Sequence, residues 1–167
     1  MNIQHKTENI LNRLDILSPW AFTGVLYIMR WIVIIPLSFI LAQLSTSPQP
    51  VEFNGSRLGL FIGFIIISPF FETLIECALP YGVMRMFNII PHGKRPWTFV
   101  CISAGMMALL HFFAWPLAIM PSLATGAFLA YIYGHFAPHS FGYALLHTSV
   151  FHAAINIIGW LMIVAYM

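Results

Sequence analysis

Five apolar stretches, separated by brief polar linkers, occupy nearly all of the chain after residue 19. A helix needs about 20 mainly apolar residues to cross a bilayer, and all but the fourth stretch approach or exceed that length. The stretches run from about residue 20 to 44, 58 to 87, 97 to 115, 123 to 136 and 141 to 167. Only 7% of the residues are charged, whereas soluble domains average about 25%. The sequence therefore predicts an all-α, polytopic transmembrane helical bundle with about five spans.

The first 19 residues are mixed polar and precede a single predicted transmembrane domain at residues 20–167. No short apolar region with a small-residue cleavage site follows them, so a cleavable signal peptide is not expected. Apolar positions in this segment recur roughly at helical spacing: Ile10, Leu11, Leu14, Ile16 and Leu17. The pattern predicts a short amphipathic helix on the cytoplasmic surface.

Basic residues predict the orientation, because Lys and Arg accumulate on the cytoplasmic side of membrane proteins. With the N-terminus inside, only Arg57 lies on the outer side. The inner side carries Lys6, Arg13, Arg85, Lys94 and Arg95. We therefore expect a multi-pass protein of the cell membrane, of the bacterial inner-membrane type, with a cytoplasmic N-terminus and the lipid bilayer around it. The net charge of +2 is too small to indicate nucleic acid as a partner.

Four polar side chains lie inside these apolar stretches: Glu72, His111, His152 and Asn156. An ionisable residue at the centre of a membrane helix costs roughly 2.5 kcal/mol or more. At about 1.5 Å per residue, the glutamate and the two histidines all lie roughly 17 to 22 Å from the predicted cytoplasmic ends of their spans. His152 and Asn156 are four residues apart and share one helix face. The sequence therefore predicts one shared polar site inside the bundle.

Two further features of the apolar stretches concern how the helices lie in the membrane. Arg30 lies within the first stretch, where it either reaches back to the membrane interface or pairs with a carboxylate. The second stretch is longer than a bilayer needs, so we expect it to tilt, or to bend near Pro69 or Pro80.

Three short motifs follow one another on the second, third and fifth stretches: ETLIEC at 72–77, MALLH at 107–111 and HAAIN at 152–156. Their order resembles the CPBP family of intramembrane proteases (CAAX proteases and bacteriocin-processing proteins, also called the Abi family). That family carries E-E-x-x-x-R, F-x-x-x-H and H-x-x-x-N on consecutive helices. The resemblance covers about residues 60–160 and identifies the chain as a divergent member.

The chain departs from the family pattern at three positions. Thr73 stands in place of the second motif glutamate, Cys77 in place of the arginine and Met107 in place of the phenylalanine. An additional carboxylate, Glu76, lies one helical turn after Glu72. The presumed catalytic set is complete, while Thr73, Glu76 and Cys77 alter the charges that would tune it.

The resemblance implies hydrolysis of a peptide bond by a glutamate-activated water. In that scheme Glu72 is the general base and His111 helps to hold the water. His152 and Asn156 would polarise the scissile carbonyl and form an oxyanion site. The substrate would be a peptide or a membrane-protein segment whose backbone reaches the middle of the bilayer.

No cofactor is expected in this scheme, although a metal-dependent form would use Glu72, His111 and His152 as an open three-ligand site. The H-E-x-x-H pattern of zinc proteases is absent from the sequence. Two other classes remain open. One is a catalytically inactive relative that acts as a binding, immunity or assembly factor, with a membrane-complex partner or a second copy of itself. The other is a haem-binding bundle ligated by the two histidines, or a proton relay through Glu72.

Overall fold

The computed structural model describes residue 14 and residues 16–44, 56–90, 97–114 and 119–166. In this part of the chain every regular element is helical, which confirms the predicted all-α class. We number the helices in chain order. They are α1 (Pro19–Leu44), α2 (residues 57–86), α3 (Trp97–Ala114), α4 (Ile119–Phe136) and α5 (Phe141–Tyr166).

The apolar stretches predict the helix ends closely, with one exception. Helix α4 begins at Ile119, four residues before the predicted start at Leu123. Pro121 therefore lies in the first turn of α4, where a missing backbone N–H costs no helical hydrogen bond. Most of the predicted N-terminal amphipathic helix lies outside the described residues. Of its apolar positions, Leu14 is buried in the core and Ile16 is exposed.

Three of the helices are long and apolar enough, by length and composition, to cross a membrane. They cover Pro19–Leu41, Leu58–Met86 and Phe141–Leu161. The apolar part of α3, Trp97–Phe112, is shorter. Within the described ranges the chain thus carries three such helices where the sequence predicts about five spans.

Helix α4 lies at the centre of the packing, between α1, α3 and α5. Its residues Leu129, Ala130 and Ile132 are fully buried. At Gly126 the packing is especially close, because a Cβ atom there would lie 2.9 Å from the Cα of Ala104 on α3. Close backbone approach at small residues is the usual mode of helix association in membranes. The shortest of the predicted spans therefore organises the core.

Helix α2 changes its winding twice, and each change comes just before a proline. Ile62–Ile67 and Leu74–Ala78 are π-helical, while the turns before, between and after them are α-helical. The wide turns end immediately ahead of Ser68-Pro69 and Leu79-Pro80. Wide turns of this kind are often found at functional sites. They occur at the two prolines where the sequence predicts an irregularity.

Helix α2 ends at a well-defined C-cap, just before the buried Ile90. Asn88 adopts a left-handed conformation with φ 55°. Its N–H donates to the carbonyl of Arg85, and the N–H of Ile89 donates to the carbonyl of Met84. These bonds form a Schellman motif, in which asparagine is an accepted alternative to glycine. The candidate span and the helix therefore end at the same residue, Met86.

Candidate functional site

Glu72 is held by two partners in the α-helical segment Ser68–Thr73, between the two wide turns of α2. The hydroxyl of Ser68, one turn earlier, donates to Oε1. The Nε2 atom of His152 on α5 lies 3.2 Å from Oε2. The Glu72 side chain keeps 30% of its surface exposed, whereas that of His152 keeps 3%. The carboxylate is thus fixed between two helices and still accessible from outside the protein.

His152 is the buried member of this pair. An ionised carboxylate can only accept hydrogen bonds, so Nε2–H donates to Glu72 when Glu72 is charged. The other ring nitrogen, Nδ1, is buried and has no hydrogen-bond partner among the described residues. Of its two ring nitrogens, only Nε2 thus has a partner among the described residues, the Glu72 carboxylate.

Asn156 lies one turn beyond His152 and also contacts α2. Its Nδ2 donates to the carbonyl of Phe64 at 2.8 Å. In the wide turn, the N–H of Ser68 donates to Gly63 and not to Phe64. The next residue, Pro69, has no N–H to offer. The Phe64 carbonyl is therefore left without a backbone donor from either residue, and the Asn156 amide fills that place.

His111 on α3 is half-buried and is not hydrogen-bonded to Glu72 or His152 in the described structure. Its Nδ1 lies 2.9 Å from the carbonyl of Met107, one turn earlier in the same helix. Because a carbonyl only accepts, this contact assigns the proton to Nδ1 and leaves the lone pair of Nε2 available.

The three tuning positions on α2 are buried. Thr73 is 0% exposed, Glu76 2% and Cys77 1%. Neither carboxylate oxygen of Glu76 has a hydrogen-bond partner among the described residues. Burying a charged carboxylate without a partner is costly, so the environment of Glu76 differs sharply from that of Glu72. The partly accessible carboxylate of Glu72 and the buried carboxyl group of Glu76 thus lie one helical turn apart.

Two residues that the sequence does not single out for this site also belong to its surroundings. Ser68 holds Glu72, and its position four residues earlier in a helix was the available signal. Among the described residues, Arg30 is hydrogen-bonded to neither Glu72 nor Glu76. It is 6% exposed, and its Nε and Nη2 donate to Oγ1 of Thr125 at 3.2 and 3.1 Å.

The conditional metal site does not assemble from the described residues. In this part of the chain no group of three or more His, Cys, Asp or Glu side chains is arranged to hold a metal ion. Of Glu72, His111 and His152, only the first and last are in direct contact. Haem ligation by His152 Nε2 would require this contact to be broken.

Comparison of the chain with protein-family models, with curated protein sequences and with solved structures gives no match. The functional argument therefore depends on the motifs and on the geometry described above.

Proposed function

We propose that this chain is a multi-pass protein of the cell membrane with about five spans, a cytoplasmic N-terminus and a fold like that of the CPBP proteases. Its function would be that of an intramembrane peptidase that uses a glutamate-activated water. The observation that carries the proposal is the arrangement of Glu72. Its carboxylate is held between Ser68 and His152, is partly accessible, and lies inside a helix apolar enough to cross a membrane.

In this mechanism Glu72 removes a proton from a water molecule as the water oxygen attacks the scissile carbonyl carbon. The C–O bond forms, the carbonyl oxygen becomes an oxyanion, and the C–N bond then breaks. The proton held by Glu72 passes to the leaving amine. His152 helps to keep the carboxylate in place through Nε2. His111 accepts a hydrogen bond from the water at Nε2, because its Nδ1 is already used.

The substrate in this proposal is a peptide or a segment of a membrane protein, and the remaining partners are the surrounding lipids. The exposed part of Glu72 supports access for such a segment. Its neighbours on the same helix, Phe70 and Phe71, are exposed aromatic residues. An apolar surface beside the carboxylate suits a substrate that is itself embedded in the membrane.

A non-catalytic binding or assembly factor is the second candidate, and two observations favour it. The Asn156 amide, which the resemblance assigns to the oxyanion site, already donates to a backbone carbonyl. Cys77, at the position of the motif arginine, is buried and uncharged as a thiol. Both observations describe a bundle in which motif residues contribute to packing.

The test compares peptide termini in membranes that contain the wild-type protein, Glu72→Gln or Glu76→Gln. Both substitutions keep the shape of a glutamate side chain and replace its carboxyl group by an amide. Only Glu72 contacts Ser68 and His152, so Glu76→Gln serves as the matched control. We expect new termini with wild type and with the control, and none with Glu72→Gln.

If the three membranes show the same termini while Glu72→Gln still replaces the wild-type protein in cells, the peptidase proposal is wrong. The second candidate would then describe the protein. Equal loss of termini in both variants would also contradict a specific role for Glu72.

A further inference from the structure

Arg30 is a cation buried in the middle of α1. The residue is 6% exposed, and the guanidinium carbon lies 4.3 Å from the ring centroid of Trp31. Nε and Nη2 donate to the single hydroxyl oxygen of Thr125. Nη1 is buried and has no hydrogen-bond partner among the described residues. A neutral hydroxyl and one aromatic face leave most of the guanidinium charge uncompensated.

The carboxylates of the described helices do not compensate this charge. Glu72 is occupied by Ser68 and His152, and neither oxygen of Glu76 has a hydrogen-bond partner in the described residues. Long basic side chains near helix ends normally reach the interface, but Arg30 is instead held inward by Thr125. A buried charge with a free N–H is arranged to receive an anionic oxygen.

The segment of α1 that carries Arg30 packs against the part of α5 that carries the candidate site. One turn earlier on α1, the hydroxyl of Tyr27 donates to the carbonyl of Ala154 at 3.2 Å. Ala154 lies between His152 and Asn156 in the sequence of α5. Helix α1 is therefore docked against the turn of α5 that carries the polar pair.

We infer that Arg30 is the oxyanion-binding residue of this site: its Nη1 donates to the scissile carbonyl oxygen and stabilises the negative charge that develops there. The inference rests on the peptidase proposed above. It moves the main oxyanion contact from Asn156, which already uses one of its two Nδ2 N–H groups to hold the Phe64 carbonyl, to a cation whose Nη1 has no hydrogen-bond partner among the described residues. It also supplies, from the first helix, a positive charge that Cys77 does not provide.

The role of Thr125 follows from the same geometry. By accepting from Nε and Nη2, its hydroxyl orients the planar guanidinium. The fork of an arginine gives directional donors, whereas a lysine ammonium at the same place offers a compact charge on a flexible stem. Thr125 is thus a positioning residue, and Arg30→Lys should keep the charge while losing the geometry.

The experiment measures cleavage and thermal unfolding of the full chain in detergent micelles. Cleavage is followed at a terminus that appears with wild type and not with Glu72→Gln. For Arg30→Met we expect a loss of roughly 100-fold or more, as for removal of an oxyanion-site donor, with a melting temperature equal to or above that of wild type. For Arg30→Lys we expect an intermediate loss of cleavage at an unchanged melting temperature. For Thr125→Val we expect an intermediate loss of cleavage together with a lower melting temperature, because the substitution removes the acceptor of two buried N–H groups.

A buried cation that serves only the fold would behave differently. In that case Arg30→Met would lower the melting temperature, and cleavage would fall only in proportion to the unfolded fraction. That result overturns the inference, and so does cleavage by Arg30→Met within about threefold of wild type. Either outcome leaves the proposal of a Glu72 peptidase intact. If no terminus depends on Glu72, the peptidase proposal fails first and the assignment of Arg30 fails with it.

Discussion

The bond between Asn156 and the Phe64 carbonyl can be tested quantitatively, because the structure identifies why the carbonyl needs it. The N–H of Ser68 goes to Gly63, and Pro69 has no N–H. Replacing Asn156 by leucine removes the donor at 2.8 Å and leaves the carbonyl unsatisfied. Replacing Pro69 by alanine restores a backbone N–H next to that carbonyl. The two substitutions should therefore be coupled, with the second reducing the cost of the first.

The expected coupling is about 1 kcal/mol. It lies between the roughly 0.6 kcal/mol of an average interhelical hydrogen bond in a membrane protein and the roughly 1–3 kcal/mol of a stranded buried polar group. The free energy of unfolding in mixed micelles is measured for wild type, Asn156→Leu, Pro69→Ala and the double variant. Additivity within about 0.4 kcal/mol would refute the reasoning, since the Phe64 carbonyl would then not depend on either donor.

The remaining stability and activity predictions concern the helix contact and the glutamate. Gly126→Ala should lower the free energy of unfolding by about 1–3 kcal/mol, because its Cβ would meet the α3 backbone at 2.9 Å. Gly105→Ala is the control, because a Cβ atom there would meet no atom within 4 Å. It should be neutral or stabilise the protein by up to about 1 kcal/mol. Equal changes in the free energy of unfolding of the two variants would contradict the packing argument. Ser68→Ala should reduce Glu72-dependent cleavage about tenfold at an unchanged melting temperature, since a hydrogen bond to a charged carboxylate is worth about 1.5 kcal/mol. Ser68→Thr should retain most of the cleavage. Full activity in Ser68→Ala would show that its hydroxyl does not orient Glu72.

Much of the fold follows from the apolar stretches alone. The ends of α1, α2, α3 and α5 lie within one or two residues of the predicted positions, because an apolar run bounded by polar residues can be read directly. The start of α4 is wrong by four residues, because Pro121 suggests a linker yet is tolerated in a first helical turn. The number of spans does not follow from the apolar stretches in the same way. Five stretches are predicted as spans, and three of the described helices have the length and composition to cross a membrane.

Part of the site could also be read from spacing. The interval of four residues places His152 and Asn156 on one face, and the structure turns both toward α2. The same interval connects Ser68 with Glu72. Arg30 shows where such reasoning ends. Its partner, Thr125, is 95 residues away, and no local pattern joins a residue of the first helix to the centre of the fourth.

Composition and periodicity are local properties, so they suffice to predict that this chain is helical and apolar and that a small set of polar groups lies within its apolar helices. Which hydrogen-bond partners those groups find is a matter of tertiary packing. Pairing depends on which helix faces meet and at what height, which is set by side-chain packing across the bundle. For that reason Glu72 contacts His152, the Asn156 amide goes to a carbonyl freed by a wide turn, and Arg30 keeps one buried N–H without a described partner.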